Sequence, residues 1–80
     1  MEVKIMLCIE KNTLTKVATF SYHNAATDIP KLPTATSVST DPSLKWVGKV
    51  AESSKAICDD KIEVYSLTAE NEWVKIVGGD

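Results

Sequence analysis

His23 is the only histidine of this chain, set between Tyr22 and Asn24 at the end of an apolar run. An imidazole there can serve as a general base if a nucleophile and an orienting group converge on it. The nearby Ser21 does not complete such a set, so the plainer expectation is an exposed histidine at a strand end. Two carboxylate pairs follow, Asp59 with Asp60 and Glu70 with Glu72. Paired carboxylates do acid–base work when an apolar cleft raises one pKa. Both pairs fall in expected turns, where water keeps them ordinary. A calcium loop would need a spacing such as Asp-x-Asp-x-Asp-Gly, which does not occur.

Cys8 and Cys58 are the only cysteines. A bridge between them would close a large loop, worth about 4 kcal/mol in the chain-entropy picture if geometry allowed it. The simpler reading is two buried thiols in strands. Two cysteines, one histidine and no Cys-x-x-Cys fall short of a tetrahedral zinc set by spacing. Phosphate cradles and nucleophile elbows are missing as well, and with glycine only at 48, 78 and 79 there is little material for a phosphate loop. The expectation is a chain that is not an enzyme and uses neither a cofactor nor a metal.

All nine basic residues are lysines, against eleven acidic ones, for a net charge of −2. Without arginine the chain lacks the residue that grips phosphate, guanine or carboxylate in a bidentate way. A nucleic-acid partner would also want a basic stripe. No apolar run approaches the roughly 18 residues of a membrane helix. The start, Met1-Glu2-Val3-Lys4-Ile5, does not read as a signal peptide. Protein partners remain, with no nucleic acid and no membrane.

The elements that must position these residues form one small domain over residues 1–80. A chain of this size buries only roughly 60–65% of the surface of its unfolded form, so self-association is an expected support. Residues 2–10 alternate strictly, Val3, Ile5, Leu7 and Ile9 on one side and Lys4, Met6 and Cys8 on the other. Period two predicts a strand. Because both faces are apolar near the middle, it is expected to be covered by its own core and by a second subunit. A turn at Lys11-Asn12-Thr13 leads to a second strand over residues 15–22, making a hairpin over about 2–22. A Pro/Ser/Thr-rich connection over residues 24–40 is expected to lie along the sheet or on a partner. Asp41-Pro42 starts a helix over about 42–53, with Leu44, Val47, Val50 and Ala51 on one face. Gly48 weakens it. A strand at Lys55–Cys58 and two β-rich runs around Thr68–Glu72 give a second hairpin region over about 55–77. The fold class is α+β, mainly antiparallel β.

Aromatic residues stand out as contacts. Tyr65 and Trp73 lie on opposite arms of the second hairpin, where they can pack across it. Trp46 falls off the apolar stripe of the expected helix and is the leading exposed contact. Tyr22, Pro30, Leu32 and Pro33 complete the set of partner-binding candidates.

The run Asp28-Ile29-Pro30-Lys31-Leu32-Pro33, the Thr/Ser stretch after it, Lys55-Ala56-Ile57, and Lys61-Ile62-Glu63-Val64-Tyr65 leading to Glu72-Trp73-Val74 together resemble small structural modules of tailed bacteriophages. The resemblance covers roughly residues 28–77. It implies a virion structural protein that decorates capsids, or builds necks, collars, fibres or tail parts, as an oligomer among other virion proteins. The implied location is the virion, after synthesis in a host cytoplasm. A soluble inhibitor or adaptor that stays in the cytoplasm and binds a host protein through Trp46 and an exposed sheet edge is the competing expectation.

Overall fold

The computed structural model describes residues 6–78. The expected strand positions at residues 2–5 and the Gly79-Asp80 tail lie outside them. Five strands form one sheet: β1 (Leu7–Lys11), β2 (Ala18–Tyr22), β3 (Lys55–Cys58), β4 (Val64–Leu67) and β5 (Trp73–Val77). Their spatial order follows the chain, β1-β2-β3-β4-β5. All neighbours are antiparallel except β2 and β3, which run parallel. The fold is thus β-rich α+β, with two antiparallel groups joined along a parallel seam that the alternation in the sequence did not foretell. A parallel pair needs a long crossover, and residues 23–54 supply it.

That crossover is more structured than the loop expected over 24–40. It opens with the one-turn helix α1 (Ala25–Asp28) and a 3-10 turn at Ile29–Lys31. Asn24 caps α1 by accepting the Ala26 N–H, while the Asp28 carboxylate takes the N–H groups of His23 and Asn24 at 3.0 Å. Burial alone would raise the Asp28 pKa, but these donated bonds outweigh it and hold the carboxyl below its usual range. Further on, the Ser39 hydroxyl donates to the Lys31 carbonyl, and the Trp73 indole N–H donates to the Pro33 carbonyl at 3.0 Å. These bonds tie the Pro/Ser/Thr stretch to its own chain.

The helix expected over 42–53 is instead a 3-10 helix confined to Pro42–Val47. Its start follows the sequence signal, since the Asp41 carboxylate accepts the Ser43 N–H. Leu44 and Val47, three residues apart, align on one side of a three-residue turn and are both buried. Gly48, at φ 78° and ψ −156°, then ends the helix in a backbone conformation that only glycine adopts cheaply. Beyond it the chain is extended, and the Val50 N–H donates to the Thr34 carbonyl.

One face of the sheet carries the core. Ala18, Phe20 and Tyr22 of β2 point inward with Ala56 and Cys58 of β3 and Leu67 of β4. Crossover residues Ile29, Leu32, Leu44, Val47 and Val50 close over them. Phe20 is fully buried and meets the Trp73 ring edge-on at 6.1 Å. Burial of one such side chain is worth about 1.5–3 kcal/mol. The layered body measures 35 × 28 × 18 Å, and none of the described residues covers the opposite face.

Candidate functional site

The sheet face opposite the core is left open by the described residues. Strand period two sends alternate residues to it. Register aligns Leu7, Ser21, Ile57, Val64 and Val77 in one row across all five strands, and Glu10, Thr19, Lys55, Ser66 and Val74 in the next. Each edge strand is bulged, which adds Ile9 on β1 and Ile76 on β5 as extra residues. Leu7, Ile9, Ile57, Val74, Ile76 and Val77 are each between 39% and 61% exposed. Scattered exposed aliphatics are ordinary, but a contiguous patch of them marks an interaction surface. Here six lie on one sheet face, whose charged positions are Glu10 and Lys55.

The two faces of β1 divide in a way the sequence left open. Met6 and Cys8 turn to the core, while Leu7 and Ile9 stand on the open face. The period was legible; which of two apolar faces would be covered was not.

The partner-binding candidates separate by burial. Trp46 is 71% exposed, and Pro30 is also exposed. Tyr65 and Trp73 are half-buried against the core. Tyr22, Leu32 and Pro33 are buried in this chain's own core, which removes them as contacts for a partner. The reason is register: Tyr22 shares the inward side of β2 with Phe20, and Leu32 and Pro33 belong to the crossover that roofs it. The Tyr22 hydroxyl donates to Glu63 Oε1 at 2.6 Å, and Lys75 Nζ stands 3.7 Å from Glu63 Oε2. Burial first, then the Glu63 carboxylate, push the Tyr22 phenol far above its ordinary pKa. The Tyr22 bond in turn holds the Glu63 carboxyl below its usual range.

Cys8 and Cys58 are both free. They sit on β1 and β3 with β2 between them and two residues out of register, so two strand spacings of roughly 9–10 Å are a lower bound on their separation, beyond the reach of a disulfide. Cys58 instead meets a polar corner. His23, which spacing left without neighbours, has Nδ1 2.9 Å from Asp59 Oδ1, and Cys58 Sγ is 3.2 Å from Asp60 Oδ1. Sequence reasoning missed this convergence, because it arises from the parallel pairing of β2 with β3 and not from local spacing. Glu70 and Glu72 stay exposed on the β4–β5 loop. No helix among the described residues is long and apolar enough to cross a membrane. Comparison with protein-family models, curated proteins and solved structures finds no match for the chain.

Proposed function

We propose that this chain is a non-enzymatic structural subunit that works by self-association, the open sheet face of one copy packing on that of a second. The observation that carries this reading is the six-aliphatic patch on β1, β3 and β5, on a face that the described residues leave bare. By strand spacing and rise, five strands of about five residues present roughly 400 Å² in plan. Stacking two such faces buries on the order of 1,000 Å² of accessible surface in total, near the lower bound of a specific interface. Glu10 and Lys55 are the face's opposite charges, so a second copy offers each a counter-charge and the patch is complementary to itself. A docked pair, or a higher ring of the same chain, then serves as a building block on a capsid, neck or tail. The virion context rests on the resemblance of residues 28–77 to phage modules.

A second reading, an inhibitor or adaptor that binds a host protein, is favoured by one observation, the exposure of Trp46. Light scattering after size exclusion over a concentration series separates the two. Self-association predicts a mass at least twice 8.7 kDa that falls to the monomer in Ile57→Glu, a change at the centre of the open face. A wild-type monomer at every concentration overturns the self-association reading and leaves the Trp46 surface as the docking site.

A further inference from the structure

β5 is the outermost strand of the sheet, paired on one side only, with β4. In antiparallel ladders the backbone groups of successive residues turn to alternate neighbours. On β4, the Leu67 N–H donates to the Ser54 carbonyl and the Leu67 carbonyl accepts the Ser53 N–H, both at 2.9 Å, so Leu67 is turned to β3. Thr68, the next residue, is turned the other way and donates its N–H to the Glu72 carbonyl at 2.8 Å. By the same alternation Ser66 is turned to β5 and Tyr65 to β3. Leu67 stands opposite Trp73 and Tyr65 opposite Lys75. These two are therefore the non-bonded pairs of the ladder, and the N–H and C=O of both Trp73 and Lys75 point outward from the sheet. Among the described residues no strand lies beyond β5 to meet those four groups. The β5 bulge falls beyond Lys75, so the stretch from Trp73 to Lys75 is regular, whereas the other edge strand, β1, is interrupted at its middle between Cys8 and Glu10.

A groove of about 400 Å³ adjoins that stretch, with Ile29, Pro30 and Leu32 of the crossover on one wall and Glu72, Trp73 and Val74 on the other. The crossover belongs to the core layer and Val74 to the open face, so the groove reaches round the strand edge. Its walls are tied together: the Trp73 indole N–H donates to the Pro33 carbonyl at 3.0 Å, and the Ala35 N–H to Asn71 Oδ1 at 3.2 Å. We infer that β5 is a docking edge for an extended segment of a partner protein. The segment adds as a sixth strand, antiparallel to β5, through main-chain bonds to Trp73 and Lys75. The segment residue opposite Trp73 then projects to the core side, where the apolar wall of the groove accepts an aliphatic side chain. The residue after it stands beside Glu72, the one charged residue lining the groove among the described residues, and is lysine or arginine by complementarity. The residue before it lies against Val74 and is β-branched. A second copy of β5 does not supply this pattern. Two registers keep both bonded positions within the strand. One sets Lys75 against Lys75 of the second copy, and the other sends that lysine into the apolar groove. The docking edge does not depend on the self-association proposed above.

The probe is the acetylated and amidated peptide Ser-Thr-Val-Leu-Lys-Ser, titrated into isotope-labelled protein and followed by amide NMR. Binding should saturate at one peptide per chain and move the amide signals of Trp73 and Lys75 most among the strand residues. N-methylation of the peptide's leucine nitrogen removes its bond to the Trp73 carbonyl and should lower affinity about tenfold or more. Glu72→Lys, a change at an exposed position, should weaken this peptide about two- to fivefold. The same variant should strengthen, by a similar factor, a peptide with glutamate in place of its lysine. Absence of saturable binding by about 1 mM peptide overturns the docking edge. So do signal shifts confined to other strands, or an N-methylated peptide that binds equally well. Affinities unchanged by Glu72→Lys overturn the assigned register.

Discussion

Replacing Tyr22 with phenylalanine tests the inner face of the sheet through pH. Tyr22 is buried, its hydroxyl donates to Glu63 Oε1 at 2.6 Å, and its ring meets the Tyr65 ring edge-on with centroids 5.8 Å apart. Burial and the neighbouring carboxylate raise its pKa far beyond the ordinary value. An unfolded chain ionises this phenol near pH 10. Above that pH the unfolded state sheds a proton that the folded state keeps, so stability from this residue is full below pH 10 and falls as pH rises. With the folded pKa well above the window, the loss at pH 11 is about 1.4 kcal/mol, approaching about 1.36 kcal/mol for each further pH unit. Tyr22→Phe has no such proton to lose. Urea unfolding followed by circular dichroism at pH 9, 10, 10.5 and 11 should therefore show the wild-type advantage over Tyr22→Phe shrinking by about 1.4 kcal/mol between neutral pH and pH 11. The acid limb has the opposite sign. The depressed Glu63 carboxyl contributes stability above its unfolded pKa, and that contribution is lost as pH falls through the folded one. A difference between the two proteins that stays constant through pH 11 would refute the buried Tyr22–Glu63 bond.

Two further substitutions test the crossover. Ser54 is fully buried; its Oγ accepts the Ala18 N–H at 3.0 Å and donates to the Ala51 carbonyl at 2.7 Å. Ser54→Ala leaves that N–H unpaired in the core and should cost about 1–3 kcal/mol in urea unfolding, whereas a near-neutral result means the amide finds another partner. Gly48→Ala should lower stability by about 1–3 kcal/mol through backbone strain. Its new Cβ would meet only Lys11 Nζ at 3.8 Å, an ordinary contact. Thermal unfolding should show a fall of about 4–8 °C per kcal/mol. Gly48→Asn should not rescue it, because ψ −156° lies outside the left-handed region that asparagine tolerates. A wild-type midpoint in either variant would show that position 48 need not hold this conformation.

What could be read from the residues alone divides by the range of the interaction that decides it. Local signals came through: period two in β1, Asp41-Pro42 at the start of a helical segment, and a polar break at Thr68–Glu72 between β-rich runs. Gly48 was legible as a weakness, but its φ of 78° makes it a stop, which shortens the helix to Pro42–Val47 and frees Val50 to pack from extended chain. Choices between equals were not legible. Leu7 and Ile9 are as apolar as Met6 and Cys8, and only the crossover, by roofing one side, decides which pair meets water. Tyr22 and the Leu32-Pro33 pair looked like contacts for a partner for the same reason. A large apolar side chain does not announce whether its own chain or another will bury it. Least legible was the corner at His23, since Asp59 lies 36 residues away. Its convergence requires β2 and β3 to be parallel, and that follows from the path of a crossover whose sequence reads as loop. The open face was half-visible in the two-sided pattern of the first strand, whereas the polar corner at His23 exists only once the parallel seam has been formed.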